Sequence, residues 1–154
     1  MARVEVGDLA PDFTATTHDG ETFRSRDLLG RQALVVFFYP RDGTPVCTRE
    51  VCEFRDAYQQ FLARDARVIG VSRDRLDRHH DFAHTHKLPY PLISDTDGEL
   101  HKAFGLKRVF GFLPPRVTFV IDKQGIVRMR YAALLASDEH VRRALAALDA
   151  ASAP

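Results

Sequence analysis

Three short apolar runs dominate the hydrophobic pattern of this chain. They cover residues 33–39, 67–72 and 116–121, and each is rich in β-branched or aromatic side chains. A continuous apolar run of this length, without alternating polar positions, is typical of a strand that is covered on both faces of a sheet. The pattern therefore predicts three central strands of one sheet.

Between and after these runs the pattern changes to helical spacing. It predicts helices over residues 48–64, 76–87, 98–104 and 138–148. The polar loop 122–125, which ends in a glycine, indicates a hairpin between strands 117–121 and 126–131. Residues 4–29 form an N-terminal extension with short strands or a turn. This order predicts an α/β protein with a thioredoxin-like fold, in which helices flank a mixed central sheet.

Composition and charge narrow the classes of function. With 154 residues, of which 45% are hydrophobic, the chain fits one folded domain over residues 1–154, and we expect residues 150–154 to be a flexible tail. A formal net charge of +1, with both signs interleaved, argues against nucleic acid as a partner. The longest apolar run is too short to span a membrane, and residues 1–10 lack the pattern of a signal peptide. We therefore expect a cytoplasmic protein without a membrane partner.

The segment after the first strand carries both cysteines of the chain, Cys47 and Cys52. Thr44 followed by Pro45 is a helix-start signal, because proline fits the first helical position and threonine is a favourable N-cap. Cys47 then lies in the first turn, where free backbone amides and the helix dipole favour the thiolate. The sequence therefore predicts a nucleophilic cysteine at the start of a helix.

The spacing of the two cysteines predicts a conformational change. In a helix, Cys52 lies roughly 140° around the axis from Cys47 and about 7.5 Å along it. A disulfide needs Cα atoms within roughly 7 Å and converging side chains, so the pair can join only if the first turns unwind. A thiolate that forms a sulfenic acid and is then trapped by a second thiol suits peroxide reduction.

The residues around Cys47 resemble the active-site motif of the peroxiredoxins, Pro-x-x-x-Thr-x-x-Cys, which Pro40, Thr44 and Cys47 match. The similarity extends from residues 4–13 to residues 115–122. Four further residues resemble the subfamily called PrxQ or bacterioferritin comigratory protein, namely Thr48, Glu50, Cys52 and Phe54. The resemblance implies an antioxidant enzyme that reduces hydrogen peroxide and organic hydroperoxides without a metal or organic cofactor.

The resemblance also implies roles for individual residues. Cys47 is the peroxidatic cysteine and Cys52 is the resolving cysteine of an intramolecular disulfide, which thioredoxin or a thioredoxin-like protein reduces. Pro40 shields Cys47 from water, and the hydroxyl of Thr44 binds the thiolate or a peroxide oxygen. For Thr44 a purely capping role, and for Pro40 a role as strand terminator, remain the simpler alternatives. The subfamily resemblance leaves open a monomer or a weak dimer.

Arg116 is implied to polarise the peroxide and to favour the thiolate, and Glu50 to orient Arg116. A guanidinium at the mouth of a buried strand also needs an anionic partner, and a thiolate is one. Without the motif, a surface ion pair is the expected role of Arg116. Val46 departs from the family pattern, since relatives often have glycine there, and it could alter substrate access or helix opening.

Four histidines crowd the helix predicted over residues 76–87, namely His79, His80, His84 and His86. His80 and His84 share one helix face and could bind a metal, but we expect a solvated surface because no cysteine or carboxylate pattern accompanies them. Two other functions fit parts of the sequence. A thioredoxin-fold disulfide reductase is disfavoured because the chain has no Cys-x-x-Cys pair. A metal-binding module would instead use the histidines and thiols.

Overall fold

The computed structural model describes residues 3–152 and contains two sheets. The strands, in chain order, are β1 (Thr14–Thr16), β2 (Thr22–Arg24), β3 (Ala33–Phe38), β4 (Ala66–Ser72), β5 (Leu92–Ser94), β6 (Val117–Ile121) and β7 (Val127–Ala132). β1 and β2 form an antiparallel pair, and the other five strands form the central sheet in the order β5-β4-β3-β6-β7. β3 pairs in parallel with β4 and antiparallel with β6, so the sheet is mixed.

Helices cover both faces of this sheet. They are a 3-10 helix (Ser25–Leu28), α1 (Pro45–Asp56), α2 (Tyr58–Leu62), α3 (Leu76–Thr85), α4 (Glu99–Ala103) and α5 (Ser137–Ser152). The architecture is the thioredoxin-like α/β fold that the sequence predicts. Within the described part of the chain, no helix combines the length and apolar character needed to cross a bilayer.

The alternation of side chains along β3 explains its uninterrupted apolar sequence. Val35 and Phe37 point into one hydrophobic cluster, whereas Val36 and Phe38 point into a second cluster on the opposite face. The ring of Phe37 stacks on Phe54 of α1, with centroids 4.3 Å apart and planes at 7°. This contact seats α1 on the carboxyl-terminal half of β3, directly after which the cysteine segment begins.

Several predicted boundaries differ from the structure. The helix predicted over residues 48–64 is two helices, because Ala57, with φ −90° and ψ 0°, breaks it between α1 and α2. The three-residue strand β5 was not predicted, since so short a run carries little periodicity. α5 continues to Ser152 and therefore includes residues 150–152 of the predicted flexible tail, which is consistent with their alanine-rich composition. Residues 153–154 of that tail lie outside the described residues.

Candidate active site

α1 starts where the sequence predicts, but the side chain of Thr44 does not cap it. Thr44 is the N-cap residue, with φ −80° and ψ 152°, and Pro45 occupies the first turn. The hydroxyl of Thr44 does not cap a backbone amide. It donates instead to the carbonyl of Arg41 at 3.2 Å, so it lies in the loop before the helix and does not contact the sulfur of Cys47. Pro40, at the end of β3, is half-buried in the same loop.

Cys47 and Arg116 are in direct contact. Cys47 is completely buried in the first turn of α1, and Arg116, 4% exposed, lies immediately before β6. The guanidinium donates from Nη2 to Cys47 Sγ at 3.2 Å, from Nη1 to Glu50 Oε1 at 2.8 Å and from Nε to the carbonyl of Leu134 at 2.6 Å. Two acceptors besides the sulfur, Glu50 on α1 and the carbonyl of Leu134 after β7, therefore hold the cation against Cys47. A buried thiolate is stabilised by such a charge-assisted contact.

Glu50 shares Arg116 with Cys47 and is itself fully buried. Its Oε2 has no hydrogen-bond partner among the described residues and lies 3.5 Å from His140 Nδ1 on α5. Burial raises the pKa of Glu50 from 4.5 to about 7, although the charge of Arg116 opposes this. Near neutral pH both the protonated and the ionised form of the Glu50 carboxyl are therefore populated. When Glu50 is protonated, the thiolate of Cys47 is the only anion in contact with the guanidinium of Arg116 among these two acceptors.

His140 closes the site from behind and was not predicted from the sequence. Its Nε2 lies 3.0 Å from the carbonyl of Ala133, which can only accept, so Nε2 carries the proton and Nδ1 accepts from the hydroxyl of Thr118 at 2.7 Å. Burial, together with the nearby charge of Arg116, lowers the pKa of His140 to about 4. The imidazole is therefore neutral and offers Glu50 no positive charge.

Cys52 lies on α1 away from Cys47, and both cysteines are free thiols. Its sulfur is half-buried and lies 3.7 Å from Nδ1 of His86, the residue directly after α3. Burial raises the pKa of the Cys52 thiol, and the charge of Arg55 partly opposes this. The pair therefore lies as the helical spacing predicts, with one thiol buried against an arginine and the other at the surface of the helix.

A second buried network fixes the loop between β3 and α1. His79 is completely buried, so the expected solvated surface is wrong for this histidine, although His80 and His84 are exposed as expected. Nδ1 of His79 lies 2.6 Å from Asp42 Oδ2, and Nε2 lies 3.1 Å from the carbonyl of Ile93. The hydroxyl of Tyr39 donates to the other oxygen of Asp42 at 2.5 Å. Ser72, the last residue of β4, and Asp74, two residues later, are polar residues at a strand end and could have predicted this cluster from the sequence.

The same network contains the ligand types of a metal site. Atoms of Asp42, Asp74 and His79 lie within 4.8 Å of one another. These atoms are already engaged in hydrogen bonds, because Asp74 Oδ2 accepts from the amide of Asp42 at 2.8 Å and from the hydroxyl of Ser72 at 2.5 Å. These side chains therefore serve to hold the loop that leads to α1 in place through hydrogen bonds.

Comparison with known proteins finds relatives that match most of this chain. Residues 6–130 match the model of the AhpC/TSA family. A chloroplastic peroxiredoxin Q from Arabidopsis thaliana is 40% identical over 152 residues, which are 98% of this chain and 70% of that protein.

Two solved structures are also similar. Peroxidoxin BcpB from Mycobacterium tuberculosis is 36% identical with a TM-score of 0.90, and the match covers 98% of this chain and 100% of that chain. The bacterioferritin comigratory protein of Xanthomonas campestris, from work on its alkyl peroxide reduction activity, is 29% identical with a TM-score of 0.84, over 99% of this chain and 100% of that one. The predicted resemblance is confirmed, and the chain belongs to the AhpC/TSA family, among its peroxiredoxin Q and bacterioferritin comigratory proteins.

Proposed function

We propose that this peroxiredoxin reduces hydrogen peroxide and small organic hydroperoxides with Cys47 as the peroxidatic residue. The observation that carries the proposal is the 3.2 Å contact between Arg116 Nη2 and the sulfur of a cysteine buried in the first turn of α1. The thiolate attacks one peroxide oxygen, the O–O bond breaks, and Cys47 becomes a sulfenic acid while the other oxygen leaves as water or an alcohol. Arg116 stabilises the negative charge that moves from sulfur to oxygen.

Pro40 and Thr44 have supporting roles in this proposal. Pro40, which is half-buried in the loop between β3 and α1, keeps water from the sulfur. The hydroxyl of Thr44, which donates to the carbonyl of Arg41 in the structure, donates instead to a peroxide oxygen when the substrate binds. Glu50 orients the guanidinium through its 2.8 Å contact with Nη1 of Arg116.

The catalytic cycle closes through a disulfide between Cys47 and Cys52. The two cysteines lie five positions apart on one helix, so the amino-terminal turns of α1 unwind before the bond forms. Thioredoxin or a thioredoxin-like protein then reduces the disulfide by thiol exchange. We further propose that the enzyme works in the cytoplasm as a monomer or a weak dimer, where a reducing environment restores both free thiols.

The test is a comparison of the two cysteine variants under peroxide. Cys52→Ser forms a sulfenic acid at Cys47, which a dione probe traps and mass spectrometry detects, but it loses turnover with thioredoxin. Cys47→Ser forms neither the sulfenic acid nor the disulfide. Full steady-state turnover with thioredoxin in Cys52→Ser refutes the resolving role, whereas an unoxidised residue 47 in the wild-type protein refutes the peroxidase itself.

A further inference from the structure

The surroundings of Cys52 raise a question about how it loses its proton. The sulfur attacks a sulfenic acid only as a thiolate, yet burial favours the neutral thiol at this position. The nearest base is the imidazole of His86, whose Nδ1 lies 3.7 Å from Cys52 Sγ, within the range of a sulfur hydrogen bond. The edge of the His86 ring packs against Phe82, with centroids 4.7 Å apart, which holds the ring beside the thiol.

Contacts along α1 indicate which of the two cysteines moves. The helix segment around Cys52 is tied to the segment after α3 twice, since Arg55 donates to the carbonyl of His86 at 2.8 Å and Tyr90 donates to the carbonyl of Val51 at 2.6 Å. The first turns of α1 are tied to Arg116 through Cys47 and Glu50. Oxidation of Cys47 changes one of those ties, so the first turns unwind while Cys52 stays beside His86.

We propose that His86 is a catalytic residue for disulfide formation, acting as the general base that accepts the proton of Cys52. This inference rests on the proposed function, because it assigns a base to the resolving step of that cycle. The S–H bond of Cys52 breaks and its proton passes to Nδ1 of His86. The sulfur of Cys52 attacks the sulfenic sulfur of Cys47, the S–S bond forms, and the S–O bond breaks.

The step balances without another reactant. Cys52 gives up two electrons to the sulfenic sulfur, and the departing hydroxide takes the proton from His86 and leaves as water. Charged groups of α1 surround the pair, namely Glu53, Arg55 and Asp56, and the phenol of Tyr90 faces it from the segment before β5. The effect of His86 is therefore read from the difference in rate between the wild-type protein and the His86 variant, because these neighbours are common to both proteins.

The experiment measures the two chemical steps separately in single-turnover stopped flow with hydrogen peroxide. His86→Ala is compared with His84→Ala, which removes an exposed histidine two residues earlier, on α3. Sulfenic acid formation at Cys47 keeps its wild-type rate in both variants. Disulfide formation slows at least ~100-fold in His86→Ala only, a loss at the lower end of what general bases contribute. Added imidazole restores the rate in His86→Ala, and that recovery is not expected for a purely structural defect.

The outcomes distinguish a failure of the role of His86 from a failure of the proposed peroxidase function. If the wild-type protein forms no sulfenic acid or no disulfide, the proposed function fails and the inference falls with it. If the wild-type protein forms the disulfide and His86→Ala forms it equally fast, only the role of His86 is overturned. A slow His86→Ala that imidazole does not rescue also overturns the role. If His86→Ala does not fold, as judged by urea denaturation, His86→Gln replaces it and the same slowing is required.

Discussion

Burial of Glu50 should make the protein less stable as the pH rises from about 4.5 to about 7, and the substitution Glu50→Gln should remove this pH dependence. The pKa of Glu50 is about 7 in the folded protein against an ordinary value of 4.5. At pH values below 4.5 the carboxyl is protonated in both the folded and the unfolded chain, so it contributes no difference. As the pH rises, the unfolded chain releases the proton first, and the folded state loses stability until the pH passes about 7. At ~1.4 kcal/mol for each pKa unit, the loss amounts to about 3 kcal/mol.

Glu50→Gln keeps the shape of the side chain and its acceptor for Arg116 but does not titrate. Relative to the parent protein, the variant should therefore gain about 3 kcal/mol of unfolding free energy between about pH 4.5 and about pH 7. Urea denaturation across this range measures the gain. Both proteins carry Cys47→Ser, so that ionisation of the thiol does not contribute.

The matched control is Glu53→Gln, the same substitution one turn later on a partly exposed residue. It should give a clearly smaller pH-dependent change, because burial raises the pKa of Glu53 to a lesser extent and a hydrogen bond from Ser137 opposes the effect. The contribution of His140 to the free energy of unfolding has the opposite pH dependence, because it is lost as the pH falls from 6.5 through about 4. This contribution cancels in the comparison, since His140 is present in every variant. A Glu50→Gln difference that stays constant across the pH range contradicts the reasoning.

Three further substitutions test other parts of the structure. His79→Leu removes the imidazole from the buried Asp42, which keeps the hydroxyl of Tyr39, and should cost about 1–3 kcal/mol in urea denaturation; an unchanged midpoint would mean that His79 does not stabilise this loop. Gly70→Ala places a Cβ 2.8 Å from an atom of Phe37, so thermal unfolding should show a loss of about 1–3 kcal/mol, and wild-type stability would contradict this packing. Val46→Gly should weaken the first turn by about 0.5 kcal/mol and speed disulfide formation about twofold in stopped flow; a slower rate would argue against helix opening.

The sequence predicted the central sheet because its strands are covered on both faces. A run such as residues 33–39 is apolar at every position, and few other structures require this. The break at Ala57 and the strand β5 were missed for the opposite reason. Tertiary contacts decide both, since β5 is only three residues long and gains its place by pairing with β4. Local patterns of three or four residues do not encode such pairing.

The site was predictable where a local signal exists. Thr44 and Pro45 start a helix, and this placed Cys47 in its first turn, where the structure has it. His140 and His86 gave no such signal, because each meets its partner across a large separation in sequence. The hydroxyl of Thr44 was expected to cap the helix, but the carbonyl of Arg41 lies within its reach and takes the hydrogen bond instead. Competition between nearby acceptors of this kind is settled by loop geometry.

The edge strands of the central sheet also affect the risk of aggregation when α1 unwinds. One outer strand, β5, is only three residues long, and the other, β7, carries Arg128 and Arg130. The N-terminal segment covers the start of β7, since the amide of Gly7 donates to the carbonyl of Val127 at 2.9 Å. When α1 unwinds and uncovers apolar side chains, neither border of the sheet offers a long unpaired backbone to a second molecule. Repeated cycles of unwinding should therefore carry little risk of intermolecular β-pairing and aggregation.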